Sequence, residues 1–342
     1  MNKTKMVVGI DISKDEFHAC IKVLTESGIV KIKGTRTFAN DYQGFELFLR
    51  WVLDRQKGVG SLSFVMEATG VYFEDLAYFL HSKDKLVSVV LANKVKNYAK
   101  SLNVKTKTDK VDSKIIAGLG IERSLEQWKP MSPQYKKLRD YSRELLSMKK
   151  ELTRAKNQLH ALNSSHSKPK GLLEIKEKQI MFYQDSIAQI QSLLHKAVDQ
   201  DLELKEKLEK IQTIKGVGFE TSVHIISETN GFELFKNIRQ VVSYAGLDVE
   251  HRESGTFKGR TKISKKGNSR IRQALYMPAM SAARTNKPIK ALYERVCEKN
   301  PNIKRKGVVA SMRKLLILIF VLWKKNTTFE MNYQWAPIEI GE

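Results

Sequence analysis

The sequence predicts a multidomain chain: a mixed α/β domain, then a long helical segment, then a mainly helical C-terminal region. Three observations carry this prediction. Strand-like alternation starts at Met6 and gives way to alternating helical and strand segments. After Pro130 the chain becomes long, helical and charged. From about Ile211 onward, short helical patterns are separated by glycines and by one strongly basic stretch.

The elements follow in order. MVVGIDIS, EFHACIKVL and IVKIKGTRTF read as three strands, with Glu26-Ser27-Gly28 turning between the last two. Phe45 to Leu53 has helical spacing, and Leu62 to Glu67 is a short apolar strand. VYFEDLAYFLHS is a helix, LVSVVLA a fifth strand, and DKVDSKIIAGLGIER a further helix. Ser132 to about Leu162 and Gly171 to about Ile211 read as two long helices, broken at NSSHSKPKG. In the second, Ile180, Ile187 and Leu194 recur every seven residues, with Tyr183 and Ile190 between them, as in a short coiled-coil seam. That pattern leaves open a hairpin packed on itself and a seam between two copies. IQTIKGVGFETSVHIISE reads as helix, Gly-Val-Gly hinge and helix, FKNIRQVVSYAGL as a helix, and SRIRQALYMPAMSAAR as another, with two more to follow. The expected domains are residues 1–130, 131–210 and 211–342.

The charge narrows the partners. A formal net charge of +23 over 342 residues calls for a polyanion, and nucleic acid is the first candidate. A membrane is excluded by pattern. LLILIFVLW from Leu315 is far short of the roughly 20 apolar residues a span needs, and it reads as a buried helix. The N-terminus carries no long apolar segment, so the chain reads as cytoplasmic. Cys20 and Cys297 stand too far apart in sequence to suggest a disulfide framework or a cysteine zinc site.

Four carboxylates draw the chemical argument. Asp11 lies in an apolar strand, where an acid is costly without a partner. Glu67 closes a second apolar strand. Asp109 and Asp112, three apart, share one helix face among Lys105, Lys107, Lys110 and Lys114. Each has a plain structural role open to it: a strand-end turn for Asp11, a cap for Glu67, an N-cap with a first-turn acid for the pair. Together they suit a hard divalent cation and phosphoryl transfer.

The basic stretch HRESGTFKGRTKISKKGNSRIR places Ser254 beside Gly255, and by local sequence Ser254 is either a turn residue or a nucleophile. Arg252, Lys258, Arg260, Lys262, Lys265, Lys266, Arg270 and Arg272 are candidate phosphate contacts, with Lys105 and Lys107 beside the acids. The glycines at 255, 259 and 267 permit close backbone approach. Lys94, Lys96 and Lys100 form a second basic cluster before the helical acid pair. Tyr244 and Tyr276 are candidates for base stacking or for core packing. No Walker-type GxxxxGK[ST] loop is found.

GIDISKDE, EATGVY, KTDKVDSKIIA and AGL…ESGTFKGRTKISKKGNSRIRQALYMPAM together resemble the DEDD transposases of bacterial insertion sequences, the insertion sequence 110 type related to Piv DNA invertases. The resemblance covers nearly the whole chain and is weakest in the middle helices. It implies a ribonuclease H-like (RuvC-like) N-terminal domain, a helical coiled-coil linker and a helical transposase domain. It further implies Asp11, Glu67, Asp109 and Asp112 as ligands of Mg²⁺ or Mn²⁺, and Ser254 as the nucleophile that becomes covalently joined to DNA. DNA ends and target, a structured guide RNA encoded by the element (a bridge RNA), and assembly as a dimer or tetramer are implied in the same way. Two other classes remain: a metal-dependent junction nuclease of the RuvC type that uses water, and a non-catalytic nucleic-acid-binding protein.

Overall fold

The structure is a computed structural model that describes residues 4–56, 60–104, 108–250, 253–259 and 261–330. The chain divides into two compact units, Met1–Pro130 and Met131–Glu342.

The first unit is a mixed α/β fold. Strands β1 (Lys5–Ile12), β2 (Glu16–Leu24) and β3 (Val30–Ala39) form an antiparallel meander. At the β2–β3 turn Gly28 has φ +77°, and its N–H donates to the Thr25 carbonyl at 3.0 Å. Helix α1 (Tyr42–Leu53) leads to β4 (Ser61–Glu67), and α2 (Glu74–Ser82) to β5 (Leu86–Val90). Both later strands run parallel to β1, giving a five-stranded sheet in the order β3-β2-β1-β4-β5. Helices α3 (Ala92–Ser101) and α4 (Asp109–Glu122) complete the unit.

Alternation along β1 and β4 separates two cores. Met6, Val8, Ile10, Phe64 and Met66 pack with residues of α1 and α2 such as Phe48, Val52, Leu76 and Leu80. Val7 and Val65 face the other way and pack with Val95 and Tyr98 of α3 and Ile115, Ile116 and Leu119 of α4. Three contacts fix α4 against the sheet. The Thr108 hydroxyl caps its start by accepting from the Val111 N–H at 3.3 Å. The Lys5 ammonium donates to the Gly120 and Ile121 carbonyls near its end, at 2.6 and 3.2 Å. Midway, Gly9 lets β1 touch the helix backbone: a Cβ there would lie 2.2 Å from the Ala117 nitrogen and 2.3 Å from the Ser113 oxygen.

The second unit is mainly helical. Helices α5 (Pro133–Ser164) and α6 (Lys170–Asp199) form a hairpin. Ile187 and Leu194 of the seven-residue pattern are buried in this unit's own core, and Ile190 packs against it. The second long helix expected from the sequence is interrupted near Gln200. Asp201 starts a new helix, α7 (Leu202–Gln212), its carboxylate accepting from the Leu204 N–H at 3.0 Å. Then come α8 (Phe219–Glu228) and α9 (Ile238–Tyr244). Four two-residue strands follow: β6 (Val249–Glu250) pairs with β9 (Lys262–Ile263), and β7 (Glu253–Ser254) with β8 (Phe257–Lys258). Helices α10 (Ser269–Thr285), α11 (Lys287–Glu298) and α12 (Arg305–Lys325) close the unit. The apolar run of α12 lies in the core, with Leu315, Leu316 and Ile319 fully buried and the Trp323 indole N–H on the Gly231 carbonyl at 2.7 Å. Among the described residues no helix is long and apolar enough to cross a membrane.

Candidate active site

Asp11 and Glu67 reach one place because β1 and β4 are parallel neighbours. Their register sets Ile10 beside Met66, so Asp11 and Glu67 come next on both strands. Both follow the parity of Val7 and Val65, which puts them on the face that α4 covers. Asp109 and Asp112 occupy the first turn of α4, where the helix dipole favours negative charge. All four carboxylates line a single cavity of about 640 Å³. Asp11, Glu67 and Asp112 are half-buried and Asp109 is exposed. Gly9 is therefore part of the site's construction, because its missing side chain lets α4 lie close enough to bring its first turn over the strand ends.

The cavity also receives residues of other types. His18, opposite Asp11 in the β1–β2 register, lines it, as do Ser13 and Thr69. His18 carries no motif of its own in the sequence; the hairpin register is what sets it opposite Asp11. Lys96 and Lys100 enter from α3, a helix with too few buried residues to show a period in the sequence, and bring cations to the same cavity. Among the described residues no group of three or more His, Cys, Asp or Glu side chains is arranged to hold a metal ion. The four carboxylates thus share a cavity without forming a finished coordination sphere. Their donor set is all oxygen, which matches hard cations such as Mg²⁺. Lys105 and Lys107 lie outside the described residues.

Ser254 belongs to the second unit. It ends β7, faces Phe257 across the β7–β8 pairing, and is exposed. The two-residue connection is Gly255-Thr256, with Gly255 at φ +56°, a conformation that favours glycine at the first central position of a hairpin turn. A Cβ on Gly255 would meet nothing within 4 Å among the described residues, so the glycine is set by the turn's backbone and not by packing. Lys258 lies on β8. Lys262, Lys265, Lys266 and Arg270 are exposed. The Lys266 ammonium pairs with the Glu250 carboxylate at 2.7 Å. Arg272 donates through Nη1 to the carbonyls of Ala245 at 2.9 Å and Gly267 at 3.2 Å, tying the basic stretch to the end of α9. Gly267 also serves the fold: a Cβ there would lie 2.3 Å from the Tyr244 oxygen and 2.6 Å from the Gly246 nitrogen. Arg252 and Arg260 lie outside the described residues.

A buried polar cluster anchors the far end of this stretch. The Glu228 carboxylate accepts from Arg143 Nε at 2.5 Å and Nη2 at 2.9 Å, and from Asn268 Nδ2 at 2.7 Å. Asn268 in turn caps α10, its Oδ1 accepting from the Arg270 and Ile271 N–H groups at 2.9 and 3.3 Å. Tyr244, a candidate for stacking, donates its hydroxyl to the Glu228 carbonyl at 3.1 Å. Burial pushes the Glu228 carboxyl up, but the hydrogen bonds from Arg143 and Asn268 outweigh it and hold the group below its ordinary range. Next to it, His224 shares a hydrogen bond with the Ser142 hydroxyl at 2.9 Å. Burial, helped by the charges of Arg143 and Arg270 and opposed by Glu228, lowers its pKa to about 4.

An acid-lined α/β unit followed by a helical unit with a basic, serine-bearing ribbon is the layout of a nucleic-acid-processing protein. Two family models match the chain: one described as transposase (DEDD, IS110) over residues 8–165, and the transposase IS116/IS110/IS902 family over residues 208–294. The pilin gene-inverting proteins of Moraxella lacunata and Moraxella bovis are each 29% identical, over 328 and 329 residues, covering 96% of this chain and 98% of theirs. A solved PPX-GPPA enzyme structure from Aquifex aeolicus covers 30% of this chain and 43% of its own at 15% identity, with a TM-score of 0.21 that is too low to carry a fold argument. The chain belongs to the IS110 family of transposases.

Proposed function

We propose that this transposase cuts and exchanges DNA strands through a covalent phosphoserine intermediate at Ser254, with the carboxylate cavity as its metal site. The observation that carries the reading is that Asp11, Glu67, Asp109 and Asp112, far apart in sequence, line one cavity. Support for a ribonuclease H-like fold of residues 1–130 comes from the mixed five-stranded sheet, which presents Asp11 and Glu67 at adjacent parallel strand ends. Residues 131–210 would be the linker and residues 211–342 the transposase domain. The exposed apolar residues Ile175, Met181 and Phe182 on α6 support assembly of copies through a coiled coil. The Moraxella relatives carry names that describe inversion of a pilin gene, a reaction of DNA strand exchange, and we carry that chemistry to this chain.

Asp11, Glu67, Asp109 and Asp112 would hold Mg²⁺ or Mn²⁺, which when bound neutralises phosphate charge and lowers the cost of the departing oxygen. Lys96 and Lys100 orient a phosphodiester in the cavity, and the basic residues after Ser254 hold the strand along the ribbon. Ser254 Oγ attacks phosphorus. The Oγ–P bond forms as the P–O3′ bond breaks; the serine gives up its proton and the 3′ oxygen takes one. An incoming 3′-hydroxyl reverses the step, so the phosphodiester energy is conserved and no nucleotide triphosphate is consumed. A structured RNA encoded by the element is proposed as the guide, a role carried only by the resemblance to these transposases.

The test incubates the protein with Mg²⁺, DNA carrying the element's ends and RNA transcribed from its flank. A protein–DNA adduct resistant to denaturant is expected with wild type and not with Ser254→Ala. An adduct in the alanine variant refutes the nucleophile. Cutting by wild type without any adduct identifies a water-using nuclease, and binding without cutting identifies a non-catalytic protein.

A further inference from the structure

The second unit holds a groove that shares only Lys262 with the candidate phosphate contacts around Ser254. It measures about 1030 Å³ and lies among β6, β9, α11 and α12. Its cations are Lys262, Arg295, Arg305, Lys306, Arg313 and Lys314, and no Asp or Glu appears among its described lining residues. All but Lys314 are exposed. Its floor is aliphatic, formed by Leu247, Ile263, Leu292 and Ile317. Two apolar side chains stand uncovered in it, Val249 at 46% and Ile303 at 49% exposure. Uncovered apolar surface framed by charge of one sign marks a binding surface.

The combination selects its occupant. Six cations in a groove with no Asp or Glu among its described lining residues call for a chain of phosphates. A duplex would offer the groove only its phosphate ridge and would leave the aliphatic floor wet. An unpaired strand can place phosphates on the rim and lay sugar and base faces on the floor. The groove also includes Lys262 and Ile263 of β9, the next strand in sequence after the Ser254 hairpin. We infer that this groove is a binding site for an unpaired strand of DNA, held by Arg305, Lys306 and Arg313 on the rim and by the uncovered side chains of Ile303 and Val249. It deepens the recombinase reading and rests on it, because strand exchange requires that a freed strand be kept from re-annealing.

The test measures binding of a fluorescein-labelled oligothymidylate, and of a duplex of equal length, to the full chain by anisotropy over a range of salt with EDTA present. Omitting metal ion keeps the result independent of Ser254 chemistry. The variants are the triple change Arg305→Gln, Lys306→Gln, Arg313→Gln and the single change Ile303→Ser, all at exposed positions. The triple variant is expected to weaken single-strand binding at least about tenfold and to reduce the salt slope by about 2, three charges at about 0.7 each. Duplex binding should change by less than about threefold. Ile303→Ser should weaken single-strand binding about fivefold without changing the salt slope. Unchanged single-strand affinity, or equal losses for strand and duplex, overturns the groove assignment and leaves the recombinase reading standing. Failure of wild type to bind either DNA overturns the recombinase reading itself. A synthetic peptide of residues 331–342 that binds wild type more tightly than the oligonucleotide would assign the groove to the chain's own tail and overturn the proposal.

Discussion

Gly9→Ala should dislodge helix α4 and take the carboxylate cavity apart. The added Cβ would lie 2.2 Å from the Ala117 nitrogen and 2.3 Å from the Ser113 oxygen, both backbone atoms of a helix that cannot yield singly. Ordinary contact begins at 3.4 Å, so the helix must retreat by about 1 Å. Overpacking of this kind costs about 1–3 kcal/mol, at the upper end when backbone is the obstacle. A gap of that size also forfeits about a quarter of the packing of Ile115, Ile116, Leu119 and Ile121, which together contribute several kcal/mol. The sum is about 3–5 kcal/mol, or a fall of about 10–20 °C in the melting temperature of the first unit. Calorimetry of the full chain reads this out, and Gly171→Ala is the control, because a Cβ there meets nothing within 4 Å. A Gly9→Ala protein that melts within about 2 °C of the control refutes the argument that this glycine seats the helix.

Other predictions follow from the same contacts. Arg143→Ala leaves Glu228, whose side chain is 1% exposed, as an uncompensated buried charge, and should cost about 3–5 kcal/mol in urea unfolding. Glu228→Gln should cost less, because the Arg143 side chain is 31% exposed and can turn to water. His224 titrates near 4 in the fold and near 6.5 unfolded, so between those values the unfolded chain binds the extra proton. Stability should fall as pH drops from about 6.5 to about 4, by about 3 kcal/mol from this group, and His224→Gln should flatten that slope; parallel pH profiles would count against it. Asp11→Asn or Asp112→Asn should abolish strand cleavage while changing DNA affinity by less than about twofold, and full cleavage in either removes that carboxylate from the site.

Much of the α/β unit was legible because its strands alternate cleanly and its acids sit at strand ends within recognisable motifs. Asp11 and Glu67 could be paired on paper, but their common face depends on a parallel register that no local pattern encodes. Helix α3 was missed because only Val95 and Tyr98 are buried on it, too few to show a period. The stop between α6 and α7 leaves no mark in VDQDLELKEKL, which lacks glycine and proline; in the structure the Asp201 cap marks it. The seven-residue pattern from Ile180 to Leu194 left two packings open, and Ile187 and Leu194 lie in the chain's own core. The sequence suggests Gly267 as a place for close backbone approach to phosphate; in the structure its close neighbours are the Tyr244 and Gly246 backbone. Charge counting makes Arg272 a phosphate contact and cannot distinguish that role from the one the structure gives it, a guanidinium that spans two backbone carbonyls.

The central claim is that Ser254 becomes covalently bonded to DNA. Its most direct test is peptide mapping by mass spectrometry of wild-type protein trapped with cleaved DNA, digested with nuclease and protease. The account predicts a peptide that carries a nucleotide phosphate remnant on Ser254. A remnant on any other side chain, or cleaved DNA with none on the protein, would contradict it.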